Sequence, residues 1–322
     1  MNGPGTVAGS IDRLIERPGR LLIVSDFDGT LAEGSRNPAA TSIVPLARVA
    51  LRRLAAITAA RPDRLAVVVL TGRTAADVAA RVRVGGIRYF GDHGLQSGSY
   101  PRGARAERIT TMFQAGHEAS IDPAERLAER VPELLGRPAW LFVERKGPSV
   151  AFHVRQADDR TAARAAVEAA IETAGRELPA HELAHYRGRL VVDLRPRDAG
   201  GKAETLEALL RELSPSTVIA LGDDSSDADA FGVLRAGRDA GRFAGMAVGV
   251  TGPHGMPDDV RATADVVLAT PFDAARLLAS IGRLLRRESR SAAAGSVAAP
   301  RGSPRSSRSC AGRRPRRRRS RS

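Results

Sequence analysis

Asp26 and Asp28 stand two residues apart in Ser25-Asp26-Phe27-Asp28-Gly29-Thr30, directly after the apolar run 21–24. Side chains two apart in extended chain face the same way, so the two carboxylates repel each other unless a cation or a shared proton sits between them. A carboxylate that attacks phosphorus forms an aspartyl-phosphate and divides one hard hydrolysis into two steps, which makes Asp26 the candidate nucleophile. Asp28 can give a proton to the departing alkoxide and later take one from water. Thr71 opens Thr71-Gly72-Arg73 after the run 65–70, where its hydroxyl can donate to a phosphoryl oxygen. Lys202, preceded by Gly200-Gly201, offers a fixed positive charge to those oxygens and to Asp26. Asp223, Asp224 and Asp227 follow the run 217–221. Three more carboxylates there call for a cation, and hard oxygen ligands beside a phosphate favour Mg²⁺. Taken singly, these are a turn, a solvated lysine and an acidic strand end. Their order and their common place at strand ends make one phosphoryl-transfer site.

The elements that must hold these residues follow from apolar spacing. Residues 21–24 form too short a run for a helix and read as a buried strand. Helical spacing over 43–60, a strand over 65–70, an Ala-rich helix over 74–84 and a strand over 87–90 continue the alternation that specifies a parallel sheet covered on both faces. From about residue 95 the pattern changes: 109–135 reads as helical, 140–154 as paired strands about Lys146-Gly147-Pro148, 160–174 as a helix and 189–194 as a strand. The earlier pattern then resumes with helices over 202–213 and 227–236, strands over 217–221, 246–250 and 265–268, and a last helix over 273–286. The fold class is α/β, with residues 1–94 as the first part of the core, 95–196 as an inserted α+β cap and 197–287 as the second part of the core. Residues 288–322 read as a disordered Arg-rich tail.

A chain of 322 residues with 43% hydrophobic but only 4% aromatic content builds its cores from aliphatic residues and alanine. The formal charge of +14 is concentrated at one end: residues 286–322 carry thirteen arginines against Glu288, which leaves about +2 for the rest. A near-neutral body gives no reason to expect a nucleic-acid groove, so nucleic acid is a partner only through the tail. The one cysteine, Cys310, excludes an intramolecular disulfide and a Cys-based metal site. No signal-peptide pattern and no apolar stretch of about 20 residues is present, so a cytoplasmic protein without a membrane partner is expected.

Asp-Phe-Asp-Gly-Thr after an apolar strand resembles the nucleophile motif of the haloacid dehalogenase superfamily of phosphotransferases. Within it, residues 20–285 resemble the trehalose-6-phosphate phosphatases. Residues 89–94, YFGDHG, are similar to that family's glycine-histidine-glycine turn, 222–231, GDDSSDADAF, to its second acidic segment, and 143–155, VERKGPSVAFHVR, to its cap motif. The resemblance implies a Rossmannoid core with a C2-type cap and hydrolysis of trehalose 6-phosphate to trehalose and phosphate by a monomeric enzyme. It implies Asp26, Asp28 (through its carbonyl) and Asp223 as Mg²⁺ ligands, with Gly72, Asp224 and Asp227 supporting the phosphate site. It also implies Glu144, Lys146, Ser149, His153 and Asp193 as sugar-binding residues; opposite charges on a cap suit a face of hydroxyl groups.

The chain departs from the family where Asp193 replaces a usual Glu, Ala203 a Gly, Ser226 a Thr and Ala228 a Glu; the first and last bear on sugar specificity. A sister phosphatase for sucrose 6-phosphate or mannosyl-3-phosphoglycerate is the nearest rival. A rival of another class is a non-catalytic polyanion binder acting through residues 313–319, whose plain alternative is a solvated extension. His181-Glu182-Leu183-Ala184-His185 fits the HExxH zinc pattern, but Val191 stands where the extended form needs a third His. The two histidines are expected on the cap surface.

Overall fold

The computed structural model describes residues 4–33, 40–177, 183–188, 190–252 and 255–297. In chain order these form α1 (Pro4–Ile15), β1 (Leu21–Ser25), α2 (Pro45–Ala60), β2 (Leu65–Leu70), α3 (Ala75–Val82), β3 (Arg88–Gly91), β4 (Gln96–Ser99) and β5 (Thr110–Phe113). Next come α4 (Ile121–Leu134), β6 (Phe142–Arg145), β7 (Val150–His153), α5 (Arg160–Glu177), β8 (Leu183–Gly188) and β9 (Val191–Pro196). The chain continues with α6 (Lys202–Leu213), β10 (Thr217–Gly222), α7 (Ser225–Asp239), β11 (Ala244–Val250), α8 (Asp258–Thr263), β12 (Val266–Leu268) and α9 (Pro271–Val297).

The run in front of Asp26 is apolar throughout because both its faces are buried. Leu21 and Ile23 pack under α2, α3 and α9, against Leu51, Val78 and Leu278. Leu22 and Val24 face the other way, with Leu206 of α6 and Phe231 and Leu234 of α7. Each such side chain contributes about 1.5–3 kcal/mol on burial. The sheet order is β12-β11-β10-β1-β2-β3-β4-β5, parallel from β12 to β3 and antiparallel beyond. From β1 the chain winds outward to β2 and β3 and later returns on the opposite side through β10, β11 and β12. The winding therefore reverses between β1 and β10, where a crevice opens at the carboxyl ends of the strands.

A second, antiparallel sheet has the order β6-β7-β9-β8. Val150, Phe152, Val192 and Leu194 pack from it onto Leu127 and Val131 of α4 and Val167 of α5. By strand alternation the intervening residues belong to the opposite face. Cross-strand register aligns Glu144, Ala151, Asp193 and Tyr186 in one row across it.

Four differences from the sequence reading have physical causes. Residues 110–113, read as part of a helix over 109–135, form the edge strand β5, and α4 starts only at Ile121. Every residue of β5 is exposed, so no buried face imposes a strand alternation on the sequence. Second, β4 and β5 hydrogen-bond to the large sheet, which thus continues past residue 94. Third, Leu183, Ala184 and His185 lie on strand β8, so the helical i, i+4 geometry of a zinc pair is absent there; His185 is exposed. His181 and Glu182 lie outside the described residues. Fourth, the last helix runs on to Val297 instead of giving way to disorder at 288. Glu288 reaches back from it to Arg64 at 3.1 Å and Arg61 at 3.4 Å. The tail properties expected of residues 298–322 lie outside the described residues. No helix among those described is long and apolar enough to cross a membrane.

Candidate active site

Asp26 is the first residue beyond β1, and its amide donates to Leu221 O of β10 at 2.9 Å, so its place is fixed by the sheet itself. Asp26 is 5% exposed. Lys202, at the start of α6 and buried, donates from Nζ to Asp26 Oδ1 and to Asp227 Oδ1, both at 2.8 Å, and lies 3.9 Å from Asp224. Burial pushes Asp26 up to about 6 against the pull of Lys202, with Asp224 and Asp28 adding repulsion. Asp223 and Asp227 are likewise raised by burial, then by neighbouring carboxylates. Burial opposes the charge on Lys202 too, but Asp227, Asp26 and Asp224 outweigh it and raise its pKa well above the usual lysine value.

The acidic segment after β10 is organised by its own backbone. Asp224 caps α7, its Oδ1 accepting from the amides of Ser226 (3.0 Å) and Asp227 (3.2 Å). Burial alone would raise Asp224, but Lys202, Ser226 and this cap hold it below the usual carboxylate range. Asp227 Oδ2 accepts from the amides of Asp223 (3.1 Å) and Asp224 (3.2 Å), so with Lys202 on Oδ1 both its oxygens are engaged. Two glycines permit this packing. A Cβ on Gly222 would lie 2.1 Å from Asp227 Cγ, and one on Gly29, at φ +79°, would lie 2.0 Å from Asp223 Oδ2.

Oxygens of Asp26, Asp223 and Asp227 lie within 4.8 Å of one another, a donor set that fits a hard divalent cation. Since both oxygens of Asp227 are engaged, Asp26 and Asp223 are the members of this set with capacity for an ion. The Asp28 carboxylate stands outside the cluster: Arg73 grips it with Nε at 2.6 Å and Nη2 at 2.8 Å, while Nη1 reaches Asp77 at 2.9 Å. Thr71 is buried at the end of β2, and its backbone joins Phe90 O and the His93 amide, both at 2.9 Å. A Cβ on Gly72 would meet His93 Nε2 at 2.8 Å, so the turn after β3 closes tightly on the Thr71-Gly72-Arg73 loop.

The second sheet turns its polar row toward this region. Lys146, in the β6–β7 turn, is buried with Nζ 3.2 Å from Asp193 Oδ1 and 3.4 Å from Asp92 Oδ1. Ser149 donates to Asp92 Oδ2. Glu144 pairs with His153 at 3.0 Å; although burial opposes it, Lys146 and His153 hold Glu144 below the usual carboxylate range. Asp193, one methylene shorter than glutamate, nevertheless meets Lys146, and lies 3.8 Å from His93 Nε2 and 3.4 Å from Arg195 Nε. Arg195 stacks on Tyr186 at 3.8 Å. Ala228 faces the second hydrophobic cluster.

The candidate catalytic, metal and sugar-binding residues therefore fall into two adjoining groups. Asp26, Lys202, Asp223, Asp224 and Asp227 form one, with Asp28, Thr71 and Gly72 at its rim; Glu144, Lys146, Ser149, His153 and Asp193 form the other. Missed were the roles of Arg73, clamping Asp28, and of Asp92, joining the groups. The Thr-Gly-Arg loop gave a weak signal for the first; the 89–94 turn marked the segment of the second but not the role of its carboxylate.

A family model described as Trehalose-phosphatase matches residues 24–259. Trehalose-phosphate phosphatase of Mycobacterium tuberculosis is 34% identical over 268 residues, covering 81% of this chain and 59% of that protein. That of Mycobacterium avium is 37% identical over 218 residues, covering 66% of this chain and 51% of that protein. The chain thus spans between about half and three fifths of the length of these curated relatives. The C-terminal domain of Candida albicans trehalose-6-phosphate phosphatase superposes with a TM-score of 0.66 at 18% identity, covering 85% of this chain and 96% of that one. The likeness is one of fold: a haloacid dehalogenase-like α/β core, beside which the antiparallel sheet is consistent with a cap.

Proposed function

The chain belongs to the trehalose-phosphatase family, a family of phosphoric monoester hydrolases, and from that premise we propose that it hydrolyses trehalose 6-phosphate to trehalose and phosphate. The observation that carries the reading is the buried Asp26 carboxylate held 2.8 Å from Lys202 at the reversal point of the sheet, beneath a sheet with a charged polar face. The small antiparallel sheet with α4 and α5 is the cap, and β4 and β5 belong with the core.

In the first step an Asp26 oxygen attacks phosphorus and the bond to the sugar oxygen breaks, leaving an aspartyl-phosphate; the leaving oxygen takes a proton from Asp28. In the second, water attacks the aspartyl-phosphate and gives its proton to Asp28, releasing phosphate. Arg73 donates to both Asp28 oxygens and so fixes the orientation of this carboxyl group. The first step needs the acid, so the Arg73 fork must release Asp28, and an entering phosphate is a competing partner for that guanidinium. Lys202 keeps Asp26 ionised and oriented, and the Thr71 hydroxyl donates to a phosphoryl oxygen. Asp26, Asp223 and the Asp28 carbonyl would hold Mg²⁺, which when bound supplies positive charge to the carboxylates and phosphoryl oxygens. Glu144, Lys146, Ser149, His153 and Asp193 read the sugar as the cap closes and excludes water.

The test is phosphate release from a panel of sugar phosphates with Mg²⁺ and with EDTA. Selective, metal-dependent release from trehalose 6-phosphate is expected; preference for sucrose 6-phosphate or mannosyl-3-phosphoglycerate would keep the chemistry and replace the substrate. Glu144→Ala is expected to lower kcat/KM for trehalose 6-phosphate about 10- to 100-fold, the size of a charged hydrogen-bond pair. Hydrolysis of a small aryl phosphate, which cannot reach the cap face, should fall far less; equal losses on both would remove Glu144 from the sugar site.

A further inference from the structure

Asp92 is 0% exposed, yet it belongs to the core while its charged partners come from the cap. It stands with His93 in a turn where both residues have positive φ, +50° and +56°, a backbone state that side chains other than glycine seldom adopt. Two hydrogen bonds hold that turn to the phosphate-side loop: Asp92 N to Arg73 O at 2.7 Å and His93 N to Thr71 O at 2.9 Å. The carboxylate is thereby aimed at the cap, where it meets the Ser149 hydroxyl and, at 3.4 Å, the Lys146 ammonium. Gln96 secures the same cap turn through its backbone, donating to Lys146 O at 2.7 Å while accepting from Ala75 N at 3.0 Å.

We propose that Asp92 is a positioning residue that sets Lys146 in its sugar-reading place and couples cap closure to the Thr71–Arg73 loop; this rests on the phosphatase reading above. With the cap raised, Asp92 and Lys146 each face water. Closing buries both, and a buried ammonium or carboxylate is tolerated only where its partner is met. Asp193 supplies one countercharge from the cap itself; Asp92 supplies the second from the core. Closure in any other register would leave Lys146 with only its cap countercharges, Asp193 and Glu144, and Asp92 without Lys146. The pair therefore selects the register in which the sugar-reading face meets the Asp92–His93 turn. Burial pushes Asp92 up to about 6 against the pull of Lys146, as expected of a charge whose ionised form depends on that contact.

The experiment uses the full chain and compares Asp92→Asn with the unchanged protein on trehalose 6-phosphate and on a small aryl phosphate. Asparagine keeps the size and an acceptor for Ser149 but removes the charge facing Lys146. The expected result is a KM for trehalose 6-phosphate raised about tenfold with kcat for the aryl phosphate altered less than about twofold. The same comparison in a Lys146→Met background isolates the coupling: Asp92→Asn should then add nothing, because the charge it serves is gone. Equal losses on both substrates, or full additivity with Lys146→Met, would overturn the proposal. Asp92→Ser, smaller and able to admit water, gives the same readouts if the asparagine variant lacks a thermal unfolding transition. A wild-type chain that hydrolyses no sugar phosphate would overturn the phosphatase reading and this proposal with it, whereas selective wild-type turnover with variants that lose equally on both substrates overturns only the role of Asp92.

Discussion

Asp26→Asn is expected to lower turnover of every phosphate ester by about 10⁴-fold or more, while the protein melts, in EDTA, no lower than the wild type. The loss must be general because Asp26 is assigned to attack at phosphorus, before any feature of the sugar matters. Stability should respond in the opposite sense to ordinary core damage. Burial raises Asp26 from 3.8 to about 6, so the folded chain binds this proton more tightly than the unfolded chain does. The carboxylate therefore opposes folding above about pH 6, and its unfavourable contribution fades as pH falls toward 4. Asparagine carries no charge and avoids that opposition, while Lys202 keeps Asp227 at 2.8 Å. Steady-state assays with trehalose 6-phosphate and an aryl phosphate, alongside thermal melts in EDTA at pH 5 and pH 7.5, check both parts. Turnover near the wild-type rate would remove Asp26 as nucleophile; a melting temperature well below wild type at both pH values would mean that its pairing with Lys202 outweighs the desolvation.

The parts of the fold legible in sequence are those in which burial on two sides forces an unbroken apolar run. Residues 21–24, 65–70 and 217–221 could be placed as strands for that reason, and the reactive residues then fall at their carboxyl ends. Strand β5 was not legible because it is exposed along its whole length. The spacing of His181 and His185 imitated a helix motif, whereas Leu183–Gly188, which includes His185, forms β8 and pairs with β9. The extension of α9 past residue 287 rests in part on Glu288 meeting arginines more than 220 positions away, information no local window contains. The site divides along the same line. Asp26, Lys202 and the 222–227 segment announce themselves through type and order. Arg73 meets Asp28 across 45 positions within the core and Ser149 meets Asp92 across 57 between cap and core, so both contacts depend on the tertiary fold and not on a local pattern.

Lys202→Met tests whether the acidic cluster is held together by charge. Methionine preserves most of the apolar stem of lysine, so the change removes the ammonium with little loss of packing. It leaves Asp26, Asp227 and Asp224 without the cation now within 2.8–3.9 Å of them. Removing one partner of a buried pair typically costs about 3–5 kcal/mol, here a fall in melting temperature of about 10 °C near neutral pH in EDTA. The pH dependence carries the discriminating sign. Lys202 itself is raised well above its usual pKa, so its favourable contribution is complete throughout the acidic and neutral range and is lost only as pH rises past its folded pKa. Any narrowing of the wild-type to variant gap on acidification must therefore come from the carboxylates. Without Lys202 the already raised pKa values of Asp26 and Asp227 rise further; these two take up protons as pH falls and cease to repel, so the gap should shrink between about pH 7.5 and pH 5. Turnover should fall about 10²- to 10³-fold, the effect of deleting one fixed charge from a site where negative charge accumulates on phosphoryl oxygens. Melts of both proteins across that pH range in EDTA, with kcat measured in Mg²⁺, decide the matter. A gap independent of pH would show that Lys202 acts through packing, because only uncompensated carboxylates can make the penalty depend on protons.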